Sequence, residues 1–120
     1  MNKINIQDKF SLFKSYWDPK TIAELNGQLV KLVKFKGEFD WHKHDNEDEL
    51  FLVIKGSFDM QFRDRIETLN EGEMIVVPRW TEHCPKADEE VRVMIFEPKS
   101  VLNTGDARGS DKTVEKPEWI

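Results

Sequence analysis

Gly37-Glu38-Phe39-Asp40-Trp41-His42-Lys43-His44-Asp45-Asn46-Glu47-Asp48-Glu49-Leu50-Phe51-Leu52-Val53-Ile54-Lys55-Gly56 is the stretch on which the reading of this chain turns. It runs between two glycines and carries His42 and His44 one residue apart, with Glu49 following shortly after. In an extended segment residues i and i+2 point to one face, so both imidazoles can reach a common point. Glu49 opens an apolar run in which Phe51 and Val53 share its face, while Leu50, Leu52 and Ile54 take the other. The remaining histidine, His83, closes a second stretch, Gly72-Glu73-Met74-Ile75-Val76-Val77-Pro78-Arg79-Trp80-Thr81-Glu82-His83. The turn at Gly72 and the break at Pro78 allow its strand to fold back alongside the first. No histidine is left for another task, and three imidazoles with a carboxylate make a mixed N/O donor set that suits a divalent transition ion.

Outward from this stretch, the chain reads as short β-rich runs broken by turn residues. Leu29 to Phe35 is one run, closed by Lys36-Gly37-Glu38. Glu49 to Ile54 and Ser57 to Arg63 flank Lys55-Gly56, which predicts a tight hairpin with Gly56 at positive φ. Ile66 to Leu69, Met74 to Val77 and Glu90 to Glu97 complete the set, the last ending at Pro98. Several short strands at even spacing, without long helices between them, point to an all-β sandwich or barrel. Upstream, Ile6, Phe10, Phe13 and Trp17 recur at helical spacing with Asp8 as a candidate N-cap, and an edge strand is the alternative. Asp18-Pro19 ends that segment, because the residue before a proline is pushed out of the α region. Thr21 to Leu25 is expected to be a connector. Residues 99–120 read as loop or tail, with Trp119-Ile120 apolar enough to dock on the barrel or on a neighbouring subunit.

A chain of 120 residues is expected to form one domain, with a barrel core over about 28–97, an N-terminal segment over 1–27 and a tail over 98–120. Its net charge of −5 argues against nucleic acid as a partner, since such binders present a basic face. The longest apolar run, Leu50 to Ile54, is far short of a bilayer span. A lone cysteine, Cys84, excludes an intramolecular disulfide, and no leader-like segment opens the chain, so a cytoplasmic location is the expectation. Alternation turns Cys84 away from the face of His83, which reads as packing and not as a nucleophile.

The two stretches together resemble the motifs of the cupin superfamily of small β-barrel proteins. The first motif runs glycine, about five residues, His-x-His, three or four residues, glutamate, six residues, glycine; Gly37, His42-Lys43-His44, Glu49 and Gly56 stand in those places. The second runs glycine, five residues, proline-x-glycine, two residues, histidine, three residues, asparagine. Gly72, Pro78-Arg79-Trp80, His83 and Ala87 stand there. Three positions depart: Gly37 is one residue nearer His42, Trp80 replaces a turn glycine and must avoid positive φ or accept strain, and Ala87 replaces the asparagine. The resemblance implies a small jelly-roll barrel with His42, His44, Glu49 and His83 as ligands of one divalent transition metal ion, Fe, Mn, Ni or Zn.

By that resemblance the expected function is metal-dependent chemistry on a small molecule, of dioxygenase, isomerase or lyase type, with Glu49 as catalytic residue as well as ligand. A non-catalytic module that binds a sugar or small acid is the alternative. Stand-alone chains of this look are often labelled mannose-6-phosphate isomerase-like, but a shared barrel motif does not establish that activity. Trp41, Phe51, Trp80 and Met94 are the candidate substrate-binding residues, with Phe39 beside them and ordinary core packing as the alternative for each. Arg63, Arg65, Arg79 and Arg92 are candidates to hold a substrate carboxylate, with surface charge as the default. Pairing through sheet edges and terminal segments implies a homodimer, with Ile6, Phe10, Phe13 and Trp119 contributing.

Overall fold

The computed structural model describes residues 1–120. A short helix, α1 (Ile6–Phe10), is followed by β1 (Lys20–Leu25), β2 (Gln28–Glu38), β3 (Glu49–Lys55), β4 (Phe58–Phe62), β5 (Ile66–Leu69), β6 (Met74–Val77), β7 (His83–Pro98) and β8 (Glu118–Trp119). The strand set predicted from alternation is present, and the fold is the all-β jelly roll.

The long strand β7 organises it. Along one edge β7 pairs with β2, from Gln28↔Pro98 to Phe35↔Val91 and, past a bulge, to Glu38↔Lys86. Its other edge is shared: His83 to Lys86 pair with β4, and Val93 to Phe96 pair with β3. Beyond these, β3 pairs with β6, β4 with β5, and β2 with β1. Lys55-Gly56 is therefore a corner and not the hairpin expected, because β3 and β4 land on different parts of β7 and not on each other. Gly56 does take positive φ, +90°, and a Cβ there would meet the Glu90 carbonyl at 3.1 Å.

Alternation fixes the two faces. On β7 the inward row is Val91, Val93, Ile95 and Glu97; on β3 it is Glu49, Phe51 and Val53. The apolar members of these rows join Val33, Phe35, Phe39, Phe58, Met60 and Val77 in one buried cluster. The outward row of β3 and β7, including Ile54 and Met94, is covered by a second cluster of Phe10, Phe13, Ile22 and Leu32. Burying each such large side chain contributes roughly 1.5–3 kcal/mol, so the N-terminal segment is held by packing on the outside of the sheet. Phe10 and Phe13 are thereby buried within the chain, and they present nothing to a neighbour.

The ends differ from expectation in three ways. The helix stops at Phe10, so Phe13 and Trp17 are not on it, and its N-cap is Asn5, whose side chain accepts from the Asp8 backbone N–H. Trp17 instead turns inward at φ +58° and stacks on Phe35 at 4.4 Å, its indole N–H donating to the Lys36 carbonyl. The expected connector Thr21 to Leu25 lies in β1, which extends the sheet beyond β2. The tail docks on the barrel, as its apolar end led us to expect: β8 pairs in parallel with β1, and Ile120 packs on the outer cluster while Trp119 is 57% exposed.

Residues 99–117 cross the end of the barrel that carries His42. The Lys43 backbone N–H donates to Asp106 Oδ1 at 2.8 Å, the Asp106 N–H donates to the Lys43 carbonyl at 3.1 Å, and Ser110 donates to Asp40. Thr104 is fully buried beneath this strap. Gly105 permits the crossing: it has φ +54°, and a Cβ on it would come within 2.4 Å of the Lys43 carbonyl oxygen and 3.0 Å of the His42 ring. The left-handed conformation alone costs an ordinary residue about 1–2 kcal/mol, and the overlap with fixed backbone adds to it. Gly105→Ala should lift the strap, so that trypsin cleaves at Arg108 and Lys112 faster than in the parent chain; unchanged cleavage with unchanged melting would refute the contact.

Candidate metal centre

His42 and His83 face each other across an isolated antiparallel bridge, His42 N–H to His83 C=O at 3.1 Å and the reverse at 2.9 Å. Their rings lie 4.3 Å apart. His44 follows two residues on, and its carbonyl accepts the Trp80 N–H at 2.8 Å, which pins the His44 loop to the turn preceding His83. Trp80 sits in that turn at φ +69°, the strained alternative for a residue in the place of a glycine. Glu49 enters from the first position of β3. Sequence positions 42, 44, 49 and 83 are thus joined by main-chain bonds before any ligand is considered.

The side chains converge. His42 Nδ1 lies 2.9 Å from the Asp40 carbonyl and His83 Nδ1 lies 2.8 Å from the Thr81 carbonyl. In that arrangement each Nδ1 carries the proton and each Nε2 keeps its lone pair for a metal. His44 Nε2 and His83 Nε2 stand 2.8 and 3.4 Å from Glu49 Oε1, and the donor atoms of all four residues fall within 4.8 Å of one another. All four side chains are buried.

A metal ion fits this set on the structure's own terms. His44 Nε2, His83 Nε2 and Glu49 Oε1 are buried and find no hydrogen-bond partner beyond this cluster. A buried polar group left so costs about 1–3 kcal/mol, and a cation among them would engage all three. Electrostatics agrees. Burial, with the neighbouring His83 charge second, pushes the His42 imidazole down to about 4, so it is neutral and able to ligate at pH 7. Burial would raise the Glu49 carboxyl, but hydrogen bonding with Glu97 and the His44 and His83 imidazoles hold it well below the usual carboxylate range.

Two of the four, His42 and Glu49, line an apolar cavity together with Trp17, Val33, Phe35, Phe39, Phe51 and Ile95, with Asn103 of the strap and Glu97 as its other polar members. It is narrow: the centre of a water-sized sphere can occupy about 40 Å³ of it. Phe51 and Phe39 are where alternation placed them, Phe51 6.3 Å from the His83 ring and Phe39 5.3 Å from His42. Met94 is not in the cavity, because it belongs to the outward row of β7 beneath Phe10 and Phe13. Trp80 is 63% exposed and lies under the Lys43 ammonium at 4.2 Å, and Trp41 is half-buried beneath the Arg63 guanidinium at 3.8 Å. Neither indole lines the cavity.

The arginines are engaged elsewhere: Arg63 with Glu82, Arg65 with Glu67, Arg79 with Asp48, and Arg92 near Glu90. Glu47 is held by Ser100 and not at the site. Cys84 is buried, its thiol pushed up to about 11 by burial and the Glu38 charge, consistent with packing.

Sequence reasoning missed Trp17, Lys31, Glu97 and Asn103. Two of these left a signal. Lys31 has the parity of Val33 and Phe35, and Glu97 that of Val93 and Ile95, so each is a charge on an inward row. They form a buried ion pair, Lys31 Nζ to Glu97 Oε1 at 2.7 Å. Burial and the adjacent Glu49 raise the Glu97 carboxyl well above its ordinary value.

The jelly roll with three histidines and a glutamate at one end defines a barrel whose donor cluster could hold a metal, and comparison with known proteins gives the family. Residues 29–97 match the Cupin domain family, and the chain belongs to it. It is similar to a cupin-2 domain containing protein of Shewanella frigidimarina, with 51% identity over 80% of this chain and 94% of that one and a TM-score of 0.79. Protein NMB1881 of Neisseria meningitidis is 30% identical over 82% of this chain and all of that one, with a TM-score of 0.75. The Bacillus subtilis protein YdbB is 38% identical over 64 residues, 52% of this chain; the match spans 57% of that protein's length.

The neutral, buried His42 carries a pH signature. Its folded value of about 4 lies below the unfolded value of 6.5, so between these limits the unfolded chain binds the proton and the folded chain does not. Stability must fall as pH falls through that window, by roughly 3 kcal/mol for this residue. Denaturant titrations of metal-free protein at pH 7 and pH 4 should show a His42→Gln variant losing less stability on acidification than the parent. Equal losses would reject the assignment.

Proposed function

We propose that this chain is a metalloenzyme acting on a small oxygen-bearing molecule, of dioxygenase, isomerase or lyase type. One divalent ion, Fe, Mn, Ni or Zn, is held by His42, His44, Glu49 and His83. The observation that carries the reading is the convergence of His44 Nε2, His83 Nε2 and Glu49 Oε1 on one point with no other partner. When bound, such an ion polarises a ligand oxygen or, if redox-active, activates dioxygen. The chain's own residues do the rest. The Asp40 and Thr81 carbonyls fix two imidazoles, Phe39 and Phe51 exclude water, and Glu49 both ligates and, turned away, accepts a proton from substrate.

A non-catalytic binding module is the second reading, favoured by the small free space and the strap across the mouth. Turnover separates the two. No helix is long and apolar enough to cross a membrane, and the lone, buried Cys84 suits a reducing, cytoplasmic setting.

Elemental analysis of protein purified without added metal or affinity tag should find about one transition ion per chain, in keeping with a single donor set, and little in His42→Ala/His44→Ala. No metal and no uptake on titration would sink the reading. With metal established, loss of activity under argon marks a dioxygenase, and unchanged activity an isomerase or lyase.

We further propose a homodimer formed through the open edge of β6. That strand pairs only with β3 and exposes Met74 and Val76, an unpaired apolar edge of the kind that association removes. Sedimentation should give a dimer for the parent and a monomer for Met74→Lys/Val76→Lys; a parent monomer would refute it.

A further inference from the structure

The largest side chain lining the cavity beside the donor cluster does not come from a strand. Trp17 stands between α1 and β1, and it shares that cavity with His42 and Glu49. β1 pairs with β2 only as far as Lys20↔Leu32. Past that point Trp17 takes over the edge of β2: its backbone N–H donates to the Lys34 carbonyl at 2.9 Å and its indole N–H to the Lys36 carbonyl at 3.0 Å. The ring stacks on Phe35 at 4.4 Å and leans against Phe39 at 4.9 Å.

Ordinary packing does not require the backbone found here. At φ +58° Trp17 holds the left-handed conformation, which a bulky residue keeps only where its surroundings over-determine it, and such positions gather at ligand sites. The consequence of the strained placement is visible in the space left over. About 40 Å³ of the cavity is open to the centre of a water-sized sphere, and one water needs on the order of 10–15 Å³ by that measure. That is room for roughly three waters, or for a molecule of about four non-hydrogen atoms. The indole itself is larger than the space it leaves.

We propose that Trp17 sets the size of ligand this site admits, restricting it to short carboxylates or carbonyl compounds of about two or three carbons. The inference rests on the metal-site reading and names its substrate class. An ion held by the four donors binds and polarises an oxygen, and the aromatic and aliphatic wall receives the carbon end, whose length Trp17 limits. Trp17 is a specificity residue and takes no part in proton transfer.

The test uses zinc-loaded protein, with metal content measured first, titrated calorimetrically with acetate, butyrate and benzoate. The parent should bind acetate more tightly than either larger probe by about tenfold or more, the range for size discrimination in an apolar pocket. Trp17→Gly suits the left-handed backbone and opens an aromatic-lined space; it should keep its zinc and bind benzoate more tightly than acetate. Trp17→Leu opens less space and carries the test should the glycine variant fail to fold: it should bind butyrate as tightly as acetate and still exclude benzoate. Met60→Ala loosens the same buried cluster without bordering the cavity and should keep the parent's order. A parent that binds benzoate as tightly as acetate, or binds no probe, overturns the proposal. So does continued exclusion of the larger probes from zinc-loaded Trp17 variants, which would put the limit elsewhere, or admission of benzoate by Met60→Ala, which would make the effect general looseness of the core. Loss of zinc from both Trp17 variants would make the indole a support of the donor cluster and refute the role given to it. A parent that takes up no zinc overturns the metal-site reading, and this inference with it, before any probe is added.

Discussion

Strand β7 is hydrogen-bonded on both edges along most of its length, to β2 on one side and to β4 and then β3 on the other. A strand so placed has no freedom of register: a slip of one residue would turn Val91, Val93 and Ile95 outward and Arg92, Met94 and Phe96 into the core. The same constraint fixes the chemistry. The first residue of β7, His83, is held against His42, and its last inward position, Glu97, is held beside Lys31 and Glu49. Barrel closure and site assembly are one event, driven by the same ladder.

The site is expensive to hold together without a cation. Three buried imidazoles and two buried carboxylates meet at the end of an apolar barrel, where unpaired polar atoms destabilise and like charges repel. The structure answers with fixed dipoles, the Asp40 and Thr81 carbonyls behind two of the rings, and with one fixed cation, Lys31. These supports hold the ligand atoms in place while leaving the inner face of the cluster unsatisfied. Stability is given up locally at the cluster, and the two apolar clusters on either face of the sheet offset the loss.

Access is governed by the parts of the chain that lie outside the sheets. Trp17 enters the cavity from the N-terminal side, and residues 99–117 cross the mouth with Asn103 lining it and Gly105 pressed against Lys43. The ligand atoms belong to the barrel strands and their connecting loops, whereas part of the cavity wall belongs to the terminal segments. Within a shared barrel, such segments are free to change the shape of the pocket without disturbing the four donor residues.

The sequence by itself determined strands β2 to β7, the inward faces of β3 and β7 and the four candidate donor residues, because strand alternation and motif spacing are local properties written in consecutive residues. Phe39 and Phe51 were legible for the same reason. Only the tertiary structure decided that Lys55-Gly56 is a corner, that Thr21 to Leu25 lies in a strand and that Met94 lies beneath the N-terminal segment. It alone turned Trp41 and Trp80 outward under Arg63 and Lys43 and brought Lys31 and Glu97 together. Those outcomes depend on which strand edge finds which partner, and on pairings between residues such as 31 and 97 or 43 and 106. No local pattern encodes them, since they are set by the closure of the barrel as a whole.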